Sequence, residues 1–262
     1  MKCIYWNTKN LESLDSVLDI LSKEQPDLFF LSEINEDILK NNQNKLNDLG
    51  FEHYPNPGCE RVQIIKAQRL DAEPGLQNKY YTTVKIVDGD IYAISIHLPS
   101  SMYQHSDALK ANLRQFRTDI NKEIGNSSDV RILIIGDFNV NPFEKPMIDF
   151  DGFGATNSPN ARNNITHNGT NIQTYYNPTW QLYTRINFPG TKYFPRPSAH
   201  SYDITEFHFL DQIVISQSLK DYIASYRIDV IEETKSFSFF NKVKNKILIS
   251  DHLPLLYEFK KH

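Results

Sequence analysis

Short apolar runs alternate with amphipathic stretches along most of this chain. The opening MKCIYWN predicts a strand that ends at a polar residue, and DLFFLSE (27–33) predicts a second, buried strand. Between them, residues 11–25 place Leu and Val at helical spacing, with Asn10 as an N-cap and Pro26 after the end. The chain is therefore predicted to open with a strand, a helix and a strand.

The same alternation continues through the middle of the chain. Residues 36–50 predict a solvated helix closed by Gly50. The runs YYTTVKIV and IYAISIHL flank a DGD turn (88–90), which predicts a hairpin. Residues 106–125 predict an amphipathic helix whose basic residues, among them Arg117, lie on a solvated face, and RILIIGD predicts the next strand. Later apolar runs predict further strands at 209–216, 222–233 and 246–259.

Helices that alternate with strands, together with a hairpin, predict a mixed α/β layered fold rather than a purely parallel sheet. At 262 residues the chain is long enough for one large domain or two small ones, and no repeat or linker divides it. Residues 151–208 show no clear periodicity and are rich in Asn, Pro, Gly and Tyr. A connection of that length is usually functional or carries structure that pattern analysis does not reveal.

Composition narrows the class of protein. The net charge of −4 and pI near 6.1 argue against a uniformly basic nucleic-acid coat, but they leave room for a local basic groove. Cys3 and Cys59 form no CxxC motif, which favours a reduced compartment. The N-terminus lacks the apolar region of a signal peptide, and no apolar run is long enough to span a bilayer. We therefore expect a cytoplasmic protein without membrane association.

Polar side chains follow one apolar run after another. Six strand ends carry an acid, an amide or an imidazole: Asn7, Glu33, His97, Asp137 with Asn139, Asp211 near the start of its run, and Asp251 with His252. Because side chains alternate along an extended chain, Asp137 and Asn139 are predicted to face the same way. Each residue alone has an ordinary explanation as a cap, a turn residue or a hydrogen-bonded core histidine. Asp211, however, lies in an apolar run and needs a partner or a metal, and together the six favour a shared site.

The chemistry suited to this set is metal-assisted hydrolysis. Carboxylate and amide oxygens favour Mg²⁺ or Mn²⁺ over zinc, and no HExxH motif or Cys/His cluster occurs. Because Mg²⁺ keeps several waters and accepts a substrate phosphate, one or two protein carboxylates are enough to hold it. A serine hydrolase would need a GxSxG elbow and a P-loop NTPase a GxxxxGK[ST] loop, and neither is present.

The order of these residues resembles the motifs of the endonuclease/exonuclease/phosphatase superfamily, which includes deoxyribonuclease I. The matching motifs are YWN at Asn7, LSE at Glu33, SIHL at His97, GDFN at Asp137 and Asn139, LDQI at Asp211, and SDH at Asp251 and His252. They span nearly the whole chain, so the resemblance implies a single domain over residues 1–262 with a long substrate-side loop region at about 151–208. It also implies a four-layer α/β/β/α sandwich of two mostly antiparallel mixed sheets flanked by helices, with the site at one edge.

The resemblance implies a metal site built on Glu33, with Asn7 and Asp251 near the ion. Many family members have Asn or Asp two residues after the first Asn, where it contributes to the metal site. Here that position is Lys9. A lysine can bind phosphate as a point charge, but we expect Lys9 to point into solvent. Lys9 in place of Asn or Asp leaves the Glu33 site intact, but it argues against a second metal ion at this end of the site.

The resemblance also implies the catalytic roles. Asp137 and Asn139 would position or deprotonate the attacking water. His252, paired with Asp211, and His97 would contact the scissile phosphate. An imidazole oriented by a buried carboxylate can stay protonated and offset charge on phosphorus, or it can act as a base. The sequence leaves open whether Asp137 or His252 accepts the proton.

The expected function is a Mg²⁺- or Mn²⁺-dependent nuclease acting on DNA or RNA. Residues 175–197 interleave aromatic and basic side chains, of which Tyr176, Trp180 and Arg185 are predicted to bind nucleic acid. The same aromatic residues can equally form the core of a loop. Two alternatives remain: a phosphatase or phospholipid diesterase of the inositol phosphate or sphingomyelin type, and a catalytically silent binding module of the same fold.

Overall fold

A computed structural model describes residues 1–100, 106–125, 130–184, 190–194 and 205–262. The strands in this part of the chain are β1 (Lys2–Asn7), β2 (Leu28–Ser32), β3 (Phe51–Tyr54), β4 (Val62–Ala67), β5 (Ala72–Asn78), β6 (Tyr81–Ile86), β7 (Ile91–His97), β8 (Arg131–Asp137), β9 (Ala155–Thr156), β10 (Asn164–His167), β11 (Thr170–Gln173), β12 (Tyr175–Tyr176), β13 (Lys192–Tyr193), β14 (Phe207–His208), β15 (Asp211–Ser216), β16 (Ile223–Val230), β17 (Phe240–Asn241), β18 (Lys246–Ile247) and β19 (Leu255–Lys261).

The helices are fewer and mostly short. They are α1 (Asp15–Glu24), α2 (Glu36–Asn41), α3 (Gln43–Asp48), α4 (Ser106–Glu123), α5 (Lys145–Ile148) and α6 (Gln217–Tyr222), with a 3-10 helix at Pro178–Thr184. Within the described ranges, no helix is both long enough and apolar enough to cross a membrane.

Two large mixed sheets form the body of the fold. Over the described residues, the first sheet has the order β16-β19-β1-β2-β4-β3 and the second has the order β5-β6-β7-β8-β15-β12-β9. Strand β8 shows how the layers are built, because its side chains alternate between two cores. Leu133 and Ile135 pack with the first sheet, whereas Ile132 and Ile134 pack beneath α4. The predicted α/β sandwich with flanking helices is confirmed.

Strand pairing determines where the polar strand ends lie. Strand β1 runs parallel to β2, with Asn7 level with the last residue of β2, so that Glu33 follows at the same edge. In the second sheet β7 runs parallel to β8, with His97 opposite Asp137. Strand β15 runs antiparallel to β8 and begins with Asp211 opposite Asp137. Polar residues from distant parts of the chain therefore reach one edge of each sheet.

Two predicted helices differ from the structure. Helix α1 begins at Asp15, and Asn10 does not cap it, because Lys9 and Asn10 both adopt left-handed φ values (50° and 58°) and turn the chain after β1. The predicted helix over residues 36–50 is two short helices. At their junction the side chain of Asn42 donates a hydrogen bond of 2.8 Å to a carbonyl of α2.

The predicted strand over residues 246–259 is also divided. Its two ends form β18 and β19, and the chain between them carries Asp251 and His252. Ser250 Oγ donates to Asn7 O at 2.7 Å, and His252 N donates to Ser250 Oγ at 3.1 Å. These bonds fix the segment beside the polar end of β1, which an unbroken strand could not reach.

Residues 151–208 contain regular structure in their described part. Strands β9 and β12 extend the second sheet, while β10 and β11 form a hairpin of their own. Strands of two residues, such as β9, β12, β13 and β14, are too short to show an alternating pattern, and they could therefore not be predicted from periodicity.

The basic residues of α4 are not all solvated, which corrects the sequence expectation. Arg117 is buried, and its Nη1 donates to Phe150 O at 3.0 Å and to Phe153 O at 3.4 Å. Lys110 pairs with Asp149 at 2.7 Å. These charges tie the helix to the segment after β8, because carbonyl oxygens can satisfy a buried guanidinium.

Gly136, next to Asp137 on β8, allows a close approach between strands. A Cβ at this position would lie 2.0 Å from Ile96 O and 2.8 Å from Ile96 N, which are backbone atoms of the β7–β8 ladder. We expect Gly136→Ala to lower the free energy of unfolding by about 3 kcal/mol in urea denaturation. Gly50→Ala is the matched control: its Cβ meets no described atom within 4 Å, and its φ of 83° costs about 1 kcal/mol. Equal losses in the two variants would contradict the role of the close approach.

Candidate active site

Polar side chains from both sheets meet at one edge of the sandwich. Asn7 Nδ2 donates to Glu33 Oε1 at 3.0 Å and lies 3.5 Å from Asp137 Oδ2. His97 Nε2 lies 3.5 Å from Glu33 Oε1 and 3.9 Å from Asp137 Oδ2. Glu33 holds a left-handed φ of 52°, a strained conformation of the kind found at functional sites. The structure thus brings together an amide, two carboxylates and an imidazole that the sequence placed at separate strand ends.

Asp211 and His252 form a buried pair beside this cluster. His252 Nδ1 lies 2.7 Å from Asp211 Oδ2, and the two residues are 3% and 0% exposed. His252 Nε2 lies 3.9 Å from Asp137 Oδ2. Trp6 Nε1 donates to His252 O at 3.0 Å, which fixes the backbone of the histidine. The carboxylate of Asp211 therefore orients the ring through Nδ1 and leaves Nε2 on the side of Asp137.

Asn139 lies beside Asp137 for a different reason from the predicted one. Strand β8 ends at Asp137, so the alternation of an extended chain does not reach Asn139. Instead Asn139 has a φ of 53°, and its backbone N–H donates to Asp137 Oδ1 at 2.8 Å. Its Nδ2 donates to Leu98 O at 2.7 Å. A side-chain-capped turn, rather than a shared strand face, places the two residues together.

Asp251 lies next to His252 and is held by two lysines. Its Oδ1 is 3.9 Å from His252 Nε2, while its Oδ2 is 3.0 Å from Lys9 Nζ and 2.5 Å from Lys192 Nζ. The Lys9 side chain is more than half exposed, as expected, but its ammonium group also pairs with Asp251, which the sequence did not predict. Sequence reasoning did not single out Lys192 for this site. The only signal was the mixture of basic and aromatic residues over 175–197.

A cleft of about 410 Å³ opens beside Glu33 and His97. Arg61 contributes to its lining, with its guanidinium 4.9 Å from the ring centroid of Tyr80. The polar cluster is therefore accessible from outside, although several of its members are buried.

The three predicted substrate-binding residues have different positions. Tyr176 is buried, pairs with Ile215 near the far end of β15, and is not brought to the cluster. Trp180 lies in a separate apolar groove of about 410 Å³, against the exposed rings of Phe143 and Tyr183. Arg185 lies outside the described residues.

Comparison with protein-family models matches residues 4–252 to the Endonuclease/Exonuclease/phosphatase family. The chain belongs to this family. The resemblance drawn from the sequence motifs is thereby confirmed. A comparison with curated proteins finds no match.

Solved structures of several proteins share the fold. The chain is similar to truncated TDP2 from Caenorhabditis elegans, at 16% identity and a TM-score of 0.61, over 98% of this chain and 96% of that one. It is similar to TDP2 from D. rerio complexed with single strand DNA product, at 13% identity and a TM-score of 0.60, over 100% and 99%. It is also similar to an AP endonuclease from Archaeoglobus fulgidus, at 16% identity and a TM-score of 0.59, over 99% of both chains. At these identities the likeness establishes the sandwich fold of the Endonuclease/Exonuclease/phosphatase family.

Burial and charge shift the ionisation of the central groups. Burial, followed by the charge of Asp211, raises the pKa of the Asp137 carboxyl. Burial opposes protonation of His252, but the charge and hydrogen bond of Asp211 outweigh it, so the pKa of His252 lies above its ordinary value. For Asp251, burial is outweighed by the lysines and His252, which lower its pKa. A carboxylate of raised basicity thus lies beside an imidazole that favours its charged form.

The donor set of this Endonuclease/Exonuclease/phosphatase site fits a hard divalent cation. Asp211 Oδ1 is buried without a hydrogen-bond partner among the described residues. Asp137, Asp211 and His252 each offer one ligand atom within 4.8 Å of the others, and the Glu33 carboxylate lies on the more open side. Buried carboxylates need a compensating charge, and a set dominated by oxygen favours Mg²⁺ or Mn²⁺.

We expect Asp211→Asn to lower the pKa of His252, because the amide keeps the shape of the carboxylate but removes its charge. The measurement is an NMR pH titration of the histidine rings in EDTA, with Asp88→Asn as a control at a distant exposed carboxylate. A His252 pKa that is unchanged in Asp211→Asn would contradict the assigned cause.

The same pair predicts a pH dependence of stability. Because the pKa of His252 is raised on folding, protonation of the ring stabilises the wild type fully below the unfolded histidine pKa of about 6.5. This contribution is lost as the pH rises through the higher folded value. Chemical denaturation at a series of pH values from about 6.5 upward should show that the free energy of unfolding of the wild type declines with pH. Asp211→Asn should lack this decline.

Proposed function

We propose that this chain is a divalent-cation-dependent phosphodiester hydrolase that acts on nucleic acid. The observation that carries the proposal is the convergence of Glu33, His97, Asp137 and the Asp211–His252 pair in one polar cluster. Glu33 and His97 open this cluster to a cleft. Membership of the Endonuclease/Exonuclease/phosphatase family supports the same reaction class.

Glu33 is the main proposed ligand for Mg²⁺ or Mn²⁺, with Asn7 and Asp251 near the ion. When bound, such an ion polarises a phosphoryl oxygen and lowers the pKa of a coordinated water. The hydrogen bond from Asn7 Nδ2 fixes Glu33 Oε1, so the orientation of the carboxylate is set before an ion arrives.

Asp137 is the proposed acceptor of the water proton, because burial raises its pKa toward the working range of a general base. Asn139 holds Asp137 Oδ1 through its backbone N–H and positions the attacking water. His252, kept protonated by Asp211, offsets the negative charge that develops on phosphorus. His97 contacts the phosphate from the side of Glu33.

Nucleic acid is the proposed substrate class. The similar structure of D. rerio TDP2 contains a single strand DNA product. In this chain, Trp180 lies in a group of rings with centroid distances of 6.3 Å to Phe143 and 5.6 Å to Tyr183. Tyr183 in turn lies 4.2 Å from Phe209, two residues before Asp211. Such rings stack bases without strong sequence preference, and Arg185 is two residues after Tyr183 in the chain.

The full chain should be assayed against a panel of phosphodiesters and phosphoesters. The panel comprises single- and double-stranded DNA, RNA, abasic DNA, inositol phosphates and sphingomyelin, each with Mg²⁺, Mn²⁺ or EDTA. We expect cleavage of nucleic acid with either metal and none with EDTA. Cleavage of inositol phosphate or sphingomyelin alone would show that nucleic acid is not the substrate. Binding without turnover would indicate a catalytically silent binding module.

We expect Asp137→Ala to abolish hydrolysis, with a loss of about 10³-fold or more in kcat, because the proton acceptor is removed. Circular dichroism should show a folded protein, since the substitution deletes a buried charge rather than an apolar contact. Asp88→Ala removes an exposed carboxylate at the opposite end of the molecule and should retain wild-type activity. If Asp137→Ala cleaves at the parent rate, the assignment of roles is wrong.

Trp180→Ala is expected to raise KM for a single-stranded substrate by about tenfold, because a stacking surface for a base is lost. The value of kcat should change little, since the residue lies outside the polar cluster. Trp180→Phe keeps an aromatic face and should preserve most of the wild-type KM. A KM that is the same in all three proteins would exclude Trp180 from substrate binding.

A further inference from the structure

We propose that Arg61, held over the ring of Tyr80, binds a phosphate of the substrate strand that does not itself react. The inference rests on the proposed function and deepens it, because it makes the substrate a chain of nucleotides rather than a single phosphodiester group.

Arg61 lies in the cleft of the candidate active site, apart from the polar cluster. It lines the cleft of about 410 Å³ together with Glu33 and His97. The Glu33 carboxylate contacts Asn7 and His97, and across the described ranges no Arg61 nitrogen lies within 4.0 Å of it. A phosphate bound by Arg61 is therefore a different one from the phosphate that reacts at Glu33 and His97. A nucleic-acid strand supplies such a neighbour at each nucleotide.

The charge of Arg61 is available to a ligand. For comparison, Arg69 pairs with Asp27 at 2.7 Å. The Arg61 guanidinium has no ion pair or hydrogen bond with any residue that the structure describes, and it lies 4.9 Å from the ring centroid of Tyr80. Exposed Glu60 also lines the cleft, but its carboxylate is more than 4.0 Å from the guanidinium nitrogens. Because the guanidinium fork matches two phosphate oxygens, this position suits a phosphate.

The loop that carries Arg61 is fixed by hydrogen bonds. Asn56 is buried, and its Nδ2 donates to Val62 O, directly after Arg61. Gly58 N donates to Gln77 Oε1 at 2.8 Å, which ties this loop of the first sheet to β5 of the second. The loop is therefore ordered before a ligand arrives, and binding costs less conformational entropy.

Tyr80 connects this position to the candidate active site. Its backbone N–H donates to Asn78 Oδ1 at 2.8 Å, and its carbonyl accepts from His97 N at 2.8 Å. Lys79 Nζ lies 5.7 Å from the centroid of the same ring and adds a second positive charge there. The ring under Arg61 is thus held by the backbone of the histidine that contacts the reacting phosphate.

A bound strand needs local positive charge on this protein. The chain has a net charge of −4, and Glu33 and Glu60 both line the cleft. Each phosphate of a strand adds a negative charge, and a cation near Glu33 offsets only the reacting one. The neighbouring phosphate requires a separate positive group, which Arg61 supplies.

The test is binding of a fluorescein-labelled single-stranded DNA oligonucleotide to the full chain in EDTA, measured by fluorescence anisotropy over a series of KCl concentrations. We expect Arg61→Gln to bind about tenfold more weakly, because a charge-assisted hydrogen bond is lost. The slope of log K against log[KCl] should decrease in magnitude by about 0.7, the share of one phosphate contact on a single strand.

Two further measurements separate the role of the charge from that of the ring. Tyr80→Leu keeps the charge of Arg61 and should keep the wild-type slope, but it should weaken binding about threefold, because the guanidinium is no longer held. In cleavage assays with Mg²⁺, Arg61→Gln should raise KM about tenfold and change kcat less than twofold, because the phosphate that it binds does not react.

Arg69→Gln is the matched control. It removes the same charge at the other end of β4, where Arg69 is 55% exposed, and should change neither the slope nor KM. An Arg61→Gln slope equal to that of the wild type would overturn the inference and leave the proposed function standing. Equal losses in Arg61→Gln and Arg69→Gln would also overturn it, because they would show an effect of net charge alone. A reduced slope in Arg61→Gln, with no cleavage of nucleic acid by the wild type, would overturn the proposed function instead.

Discussion

The backbone pairing of β8 with its two neighbours is the constraint on which the site depends. His97 on β7 and Asp211 on β15 both lie opposite Asp137, so three ionisable groups fall in one row at the edge of the second sheet. A shift by one residue would exchange the two faces of β8 and move its apolar side chains into the wrong layer. Gly136 favours the same register, because only a residue without a Cβ fits against the backbone of Ile96 on β7. The apolar core thereby determines the geometry of the charged groups.

The site also depends on contact between the two sheets. Asn7 and Glu33 belong to the first sheet, whereas Asp137 belongs to the second, and Asn7 Nδ2 links the two carboxylates. Trp6 is fully buried beside Asn7, and its Nε1 holds the backbone of His252. A large side chain in the core thus holds the backbone of His252 beside the strand that carries Asn7. Changes in the packing of the sandwich should therefore alter the site even when no polar residue is replaced.

The sequence predicts the features that depend on local pattern. The apolar run of β8 and its end at Asp137 follow from periodicity, and so do the strand ends near Glu33 and His97, because hydrophobic strands of five to seven residues leave a clear signal. The pairing of Lys192 with Asp251 has no such signal, since it joins residues far apart in the chain through a strand of two residues. Tyr176 shows the complementary difficulty: an aromatic residue in a polar region suits base stacking and loop packing equally, and the structure buries it.

The distribution of charge divides the site into two halves with different requirements. Asp137 and Asp211 are buried together, and among the described residues their only cationic partners within 4.0 Å are histidines. When both carboxylates are ionised and buried, each raises the free energy of the other. A protonated His252 and a bound cation near Glu33 would lower it. Asp251 adds little to the need for positive charge, because two lysines already balance its carboxylate. A phosphate would therefore meet positive charge from a cation on one side and from the imidazole and ammonium groups on the other. The same balance that stabilises the buried carboxylates before substrate binds would stabilise the extra negative charge of the reacting phosphate.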